Sequence, residues 1–317
     1  MPKPPNLTDV QKARLAILEP ALRKAVHEAD FESAKIHASD IQALLRPTGH
    51  ETRLMQSKTW LFEAAMQAGH LDLAESGFQG IRKKTAPGTR VHLEATALLT
   101  ICFLRQKRLE EAEPLMRLVV RSENIRGEER RKKFLRMIVR RFEEEGLFAA
   151  LRDVGYESLD PDDIDSAAIV QVQTITEDEM FAIIGASLPR DAVDFLLKID
   201  LAAKRQLEQK ETLYLPTRGE IEKPTQLGRS VFGSLKATLW RSLCDPESEI
   251  YKVWYGQGFA VVLNRKYFAT AVAAICIGLG LGVRAIAISV TALLIKFGLE
   301  VYCDRFKPEC IMDDRLS

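Results

Sequence analysis

Histidines, cysteines and a glycine triplet are the residues of this chain whose types could do chemistry. His27, His37, His50, His70 and His92 could act as bases or metal ligands, and all lie in the first third of the sequence. Four of them, His27, His37, His50 and His70, fall beside predicted turns or on polar helix faces. None has a nucleophile poised beside it. Cys102, Cys244, Cys276, Cys303 and Cys310 are odd in number and scattered, which reads as free thiols in a reducing compartment. Cys303 and Cys310 are near neighbours, but their spacing fits no common zinc pattern. Gly278, Gly280 and Gly282 imitate a dinucleotide fingerprint. That motif needs a preceding strand and a third glycine further on, yet residue 285 is alanine and Glu300 is the only acid at about the right distance.

Carboxylates offer two further clusters. Asp160, Asp162, Asp163 and Asp165 lack the glycine and distal glutamate of a calcium loop, and read as a solvated turn or helix cap. Asp178, Glu179, Asp191 and Asp194 could converge with Arg190, although helix-surface charge explains them more simply. The chain contains no GxxxxGK[ST] loop, no HExxH, no GxSxG and no CxxC. No catalytic residue, cofactor or metal site is therefore expected, and the chain reads as non-enzymatic.

The elements that would position such residues are mostly helices. Across residues 1–153, apolar positions recur at three and four with short polar turns between them. Three segments align, EADFESAKIHASDIQALL, QAGHLDLAESGFQGIRKK and RQKRLEEAEPLMRLVVR. Each carries a polar turn, an apolar residue and an alanine three on: Phe31/Ala34, Leu71/Ala74 and Leu109/Ala112. In WLFEAAMQAGHLDLAESGFQGIRKKTAPG, the residues Trp60, Ala64, Gly69, Ala74, Phe78 and Pro87 fall near large and small signature positions. Residues 15–125 thus resemble the tetratricopeptide family, with wider spacing and a final proline that is clear only once. The resemblance implies a solenoid of α-hairpins packed through Ala34, Trp60, Ala74, Phe78 and Ala112, and a protein partner held on the repeats.

The last helix of this region is strongly basic. Phe134, Leu135, Ile138 and Phe142 form its apolar face, and Arg130, Arg131, Lys132, Lys133, Arg136, Arg140 and Arg141 cover the rest. Without aromatic interleaving or a base-reading motif, a solvated face compensated by Glu143–Glu145 is expected rather than a nucleic-acid surface. Charge is unevenly placed. Residues 1–153 carry six excess cations and residues 154–245 six excess anions, although the whole chain is +1. Such opposite blocks face one another or recruit different partners.

Residues 154–214 form an acidic middle region. AAIVQVQTIT reads as a strand there, and LPRDAVDFLLKIDLAAKRQLEQK as an amphipathic helix with Val193, Leu196, Leu197 and Leu201 inward. LPTRGEIEKPTQLG, residues 215–228, reads as a linker. Residues 229–317 form a C-terminal domain around the apolar stretch 267–295, whose one charge is Arg284.

That stretch admits two readings. Thr270, Ala274, Gly278 and Gly282 recur every four residues, a spacing that lets helices approach closely in lipid. Tyr251, Trp254, Tyr255, Phe259, Tyr267 and Phe268 precede it, and Tyr302 and Phe306 follow, as at membrane interfaces. Arg265, Lys266, Lys296, Arg305 and Lys307 bracket it. Against a span, Arg284 would cost about 2.5–3.5 kcal/mol at mid-bilayer. Helices near 267–277 and 283–302 could instead form a buried hairpin.

The expected fold is mainly α: a solenoid-like hairpin domain, a small mixed α/β or α middle region, and a C-terminal apolar helical segment or hairpin. The opening MPKPPNLTDVQKARL lacks an apolar signal core, so the first 250 residues are expected in the cytoplasm. The first functional expectation is a membrane-associated adaptor or effector. Its repeats bind a protein, and its tail acts at the inner membrane face, as a homo-oligomer through the small-residue stripe. By architecture alone it falls near bacterial growth-arrest or phage-defence effectors. The alternative is a protein-interaction scaffold whose apolar hairpin is buried in its own core or in an oligomer.

Overall fold

The computed structural model describes residues 4–125, 127–152, 157–246, 248, 250–252 and 266–306. Trp254, Tyr255, Phe259, Arg265, Lys307 and Cys310 lie outside them. The fold is mainly helical, with no strand among the described residues. Two compact units divide the chain, one ending at Phe134 and the other beginning at Leu135.

The first unit holds α1 (Asp9–Glu28), α2 (Phe31–Leu45), α3 (Glu51–Gln67), α4 (Leu71–Lys84), α5 (Arg90–Arg105) and α6 (Leu109–Val120). Local chemistry places the breaks. Thr8 and Gln11 form a capping box at the start of α1, and Asp30 accepts the Ser33 N–H at 3.0 Å to start α2; such caps satisfy donors that the first turn leaves open. Gly69, at φ +89°, makes the turn into α4, a conformation that costs a side chain strain. Each helix packs on the next, and α1 also touches α3, which touches α5. Helix α5 is buried without interruption from Leu93 to Leu104. A bidentate pair, Arg53 to Glu19 at 2.6 and 2.9 Å, ties α3 to α1.

The second unit contains most of α7 (Glu128–Leu151), then α8 (Pro161–Thr174), α9 (Glu177–Ala186) and α10 (Arg190–Lys204). After them come the short α11 (Gln209–Thr212) and α12 (Arg218–Ile221), α13 (Pro224–Leu243), α14 (Lys266–Gly278), α15 (Arg284–Phe297) and α16 (Leu299–Arg305). One apolar core runs through it, from Leu147 and Ile164 to Phe232, Val272, Leu293 and Tyr302. Burying a side chain of this size contributes about 1.5–3 kcal/mol. Helix α15 lies at the centre, packed on α8, α9 and α14. Ile286 to Leu294 are all buried.

Several expectations are corrected here. The segment AAIVQVQTIT is not a strand: residues 161–174 are α8. Asp160 accepts the Asp162 N–H at 3.0 Å and Pro161 opens the first turn. Those start signals, with the inward Ile164 and Ala168, outweigh the β-branched run. Residues 215–228 are not a linker. Leu215 and Ile221 are buried, Thr217 and Glu220 form a capping box for α12, and Pro224 starts α13. The boundary at 153 moves into α7, because the acidic middle region and the C-terminal residues share one core.

The cysteines are not all free thiols. Cys244 and Cys303 form a disulfide across 59 residues. It joins α13 to α16, alongside hydrogen bonds from Trp240 Nε1 to the Cys303 carbonyl and from the Tyr302 hydroxyl to the Lys236 carbonyl.

The apolar stretch 267–295 is two helices, α14 and α15, separated by a turn in which Gly280 takes φ +66°. Among the described residues, no single helix is long and apolar enough to cross a membrane. Helices α15 and α16 meet the length and composition together, but they bend by 94° at Gly298.

Candidate functional site

The repeat residues named from sequence are packing residues. Ala34, Ala74, Ala112 and Phe78 are wholly buried, and Trp60 nearly so. The Phe62 ring meets Phe78 edge-on at 6.2 Å and occupies the space beside Gly77. What these residues leave accessible is a groove of about 630 Å³ between α4, α5 and α6. Phe103, Leu99 and Leu115 supply its apolar lining, with Arg82 and Lys83 from α4 and Glu110 and Glu111 from α6. His92 belongs to it as well. Its ring nitrogen contacts the Thr85 carbonyl at 3.1 Å, and burial holds its pKa below the ordinary histidine value.

The basic helix does not present one continuous face. Arg130, Lys133, Arg136 and Arg140 are exposed, whereas Arg131, Lys132 and Arg141 are half-buried. Arg131 donates to the carbonyls of Val120 and Ser122, at the end of α6. The acids that follow are not a solvated counterweight either. Glu144 and Glu145 are buried, paired to Arg140 at 2.9 Å and to Arg141 at 2.6 Å. Gly233 on α13 leaves room for the Glu144 carboxylate; a Cβ there would lie 2.4 Å from Oε1. Lys236 approaches the same carboxylate at 3.6 Å.

Beside this pair opens the larger concavity, a cleft of about 1260 Å³ lined by α7, α9, α10, α13, the 212–220 segment and the end of the C-terminal helices. Three ionisable groups of its lining come together, Glu143, Asp200 and Lys204. Asp200 is buried and its Oδ1 is 2.6 Å from the Lys204 Nζ. Burial, then the neighbouring Asp200 carboxylate, push the Glu143 carboxyl up to about 8. At neutral pH it therefore keeps its proton and hydrogen-bonds to Asp200, since two close carboxylates in a partly desolvated site cannot both ionise cheaply. Sequence periodicity could not find this trio, because Glu143 and Asp200 are brought together by the packing of α10 on α7. Gly146 is the local sign of that contact, with the Ile199 Cδ1 where its Cβ would be.

The small-residue stripe is broken by the fold. Thr270, Ala274 and Gly278 are exposed on α14, but Gly282 is buried in the turn beyond it, where its carbonyl accepts the Glu157 N–H at 3.1 Å. Gly278 and Gly282 therefore form no GxxxG step on one helix. Arg284 sits at the start of α15 and is bonded to Asp163 of α8.

The other clusters also resolve into structure. Asp178 pairs with Arg229 at 2.5 Å, Glu179 closes a capping box with Thr176, and Asp191 lies in the first turn of α10. They assemble no acid–base centre. No group of three His, Cys, Asp or Glu side chains among the described residues is arranged to hold a metal ion. No family model, curated protein or solved structure matches this chain.

Proposed function

We propose that the chain is a non-enzymatic protein-interaction scaffold. Its N-terminal helical hairpins hold a segment of a protein partner, and its apolar C-terminal hairpin serves as the core of the second unit. The observation that carries this reading is the groove between α4, α5 and α6. It combines apolar side chains with a cationic wall and an anionic wall, the mixture that fixes the direction of a bound peptide or helix. Stacked hairpins extend such surfaces because each unit contacts only its neighbours.

A photo-crosslinking side chain placed at Lys83, on the groove wall, and separately at Lys24, exposed on α1, tests this in cells. Discrete adducts from position 83 that are absent from position 24 support the reading. Equal patterns from both positions, or none from 83, overturn it.

A second reading, the membrane-associated adaptor that oligomerises through α14, has one observation in its favour. Ile277 is 61% exposed, beside the outward Thr270, Ala274 and Gly278. It requires the chain to stay with carbonate-washed membranes and Ile277→Glu to release it. Recovery in the soluble fraction whatever stands at 277 removes this reading and leaves the scaffold.

A further inference from the structure

The cleft of the second unit carries more positive charge than its own carboxyls neutralise. Its lining includes Arg136, Arg140, Lys204, Arg218, Lys223, Arg229, Lys236 and Arg305 against Glu143, Glu177, Asp200 and Glu220. Five of these cations have carboxylate partners: Arg140 and Lys236 on Glu144, Lys204 on Asp200, Arg218 on Glu222 and Arg229 on Asp178. Arg136, Lys223 and Arg305 make no ion pair among the described residues. The Arg136 Nε is bound to the Tyr214 carbonyl at 2.9 Å, which orients the guanidinium and leaves its terminal nitrogens uncommitted. Arg305 rests over the Phe306 ring at 5.7 Å.

The same walls are apolar where they are not charged. Phe181, Phe297, Phe306 and Leu215 line the cleft, and Leu201 and Leu213 do so while 46% and 81% exposed. An exposed leucine beside uncompensated arginines is costly to leave facing water and useful against an amphipathic ligand. Two unpaired arginines, with Lys223 near Glu220 as a third cation, ask for more than the single charge of a carboxylate. A phosphate group brings about −1.5 to −2 at neutral pH and accepts the two-pronged arginine geometry. The volume exceeds the usual few hundred to 1,000 Å³ of small-molecule pockets, far more than an inorganic ion fills.

We infer that this cleft binds a phosphorylated organic anion, with Arg136, Lys223 and Arg305 on the phosphate and the Phe297, Leu201 and Leu213 surfaces on its apolar or aromatic body. The source of such chemistry is a soluble nucleotide or a lipid headgroup.

The full-length chain is titrated calorimetrically with ATP, with phosphatidic acid in phosphatidylcholine vesicles, and with inorganic phosphate, all at matched ionic strength. Saturable binding of ATP or of phosphatidic acid, much tighter than inorganic phosphate, is the expected result, and which of the two binds names the source. Arg136→Ala, Lys223→Ala and Arg305→Ala should each weaken that binding about tenfold, with unliganded thermal unfolding unchanged because all three side chains are exposed. Arg190→Ala, an exposed cation of the same unit outside the cleft, should bind as the parent does. The inference is overturned by no saturable binding of either organic phosphate, by inorganic phosphate binding equally well, or by cleft variants that match Arg190→Ala.

Discussion

Arg284 closes a two-pronged ion pair on Asp163, Nε to Oδ2 at 2.5 Å and Nη2 to Oδ1 at 2.7 Å, while its backbone N–H reaches the Glu157 carboxylate at 2.7 Å. The one charge of the apolar stretch is thereby placed at the rim of the second unit, and the start of α15 is pinned to the start of α8. Acidic groups at a helix N-terminus also meet the positive end of its dipole.

The pair gives a pH- and salt-dependent signature. The Arg284 guanidinium holds the Asp163 pKa below its ordinary value of 3.8. A depressed carboxyl stabilises the fold above its unfolded pKa, and that contribution is lost as pH falls through the folded value. Both side chains are roughly half exposed, so the effect is small and screened by salt. Asp163→Asn should lower the thermal midpoint slightly at pH 7 and low salt, and not below pH 3. The exchange Asp163→Arg with Arg284→Asp should recover most of the loss.

Two helix backbones meet at glycines. A Cβ on Gly228 of α13 would lie 1.8 Å from the Phe181 carbonyl oxygen, and one on Gly185 of α9 would lie 1.9 Å from that of Pro224. Backbone cannot step aside as a side chain can. Gly228→Val should cost about 3 kcal/mol or more, measured by denaturant unfolding, and Gly185→Ala a comparable amount. At Gly77 the obstacle is the Phe62 ring, so Gly77→Ala should be milder.

Glu143 predicts the opposite pH trend to Asp163. Its folded pKa, about 8, stands above the ordinary value of 4.5. The native state then holds a proton that the unfolded chain releases, so stability falls as pH rises from about 4.5 to about 8 and stays low above that. The charged groups facing it are Asp200, Lys204 and Glu144. Glu143→Gln keeps a donor toward Asp200 without the ionisation. It should flatten the decline in urea midpoint between pH 5 and pH 9 and make the variant the more stable protein at pH 9. A parallel decline in both proteins counts against the protonated carboxyl.

Thiol chemistry should divide the cysteines. Burial pushes the Cys276 thiol up to about 12, and Cys102 is buried too. Neither should react with iodoacetamide at pH 7.5 in the native chain, and reductant should expose Cys244 and Cys303. Closing a 59-residue separation restricts the unfolded chain by about 4 kcal/mol in the chain-entropy account. Cys244→Ala with Cys303→Ala should lower stability by up to that amount. No change in mass or labelling on reduction would remove the bond.

Much of the first unit was legible in the sequence. The alanines at 34, 74 and 112 marked close helix contacts, and each is wholly buried. The structure adds caps at Thr8, Asp30 and Thr89 at the starts of α1, α2 and α5. These features act over one or two turns, where spacing along the chain is nearly spacing in space. The strand read at 167–176 and the linker read at 215–228 failed for one reason. A local propensity of a few tenths of a kcal/mol was weighed without the core that α8 and α13 bury.

The amino-acid sequence by itself determined that this chain is mainly helical, where three polar turns of its first unit fall, and that residues 267–295 are apolar but for Arg284. It did so because capping, periodicity and apolar burial are set by near neighbours. The destination of that apolar stretch, the exposure of Thr270 against the burial of Gly282, and the meeting of Glu143 with Asp200 were decided by tertiary structure alone. Those outcomes depend on contacts between residues far apart in the chain, as the sequence separation of 121 between Asp163 and Arg284 shows. No spacing pattern records which distant helix arrives to cover a face or to leave a charge uncompensated.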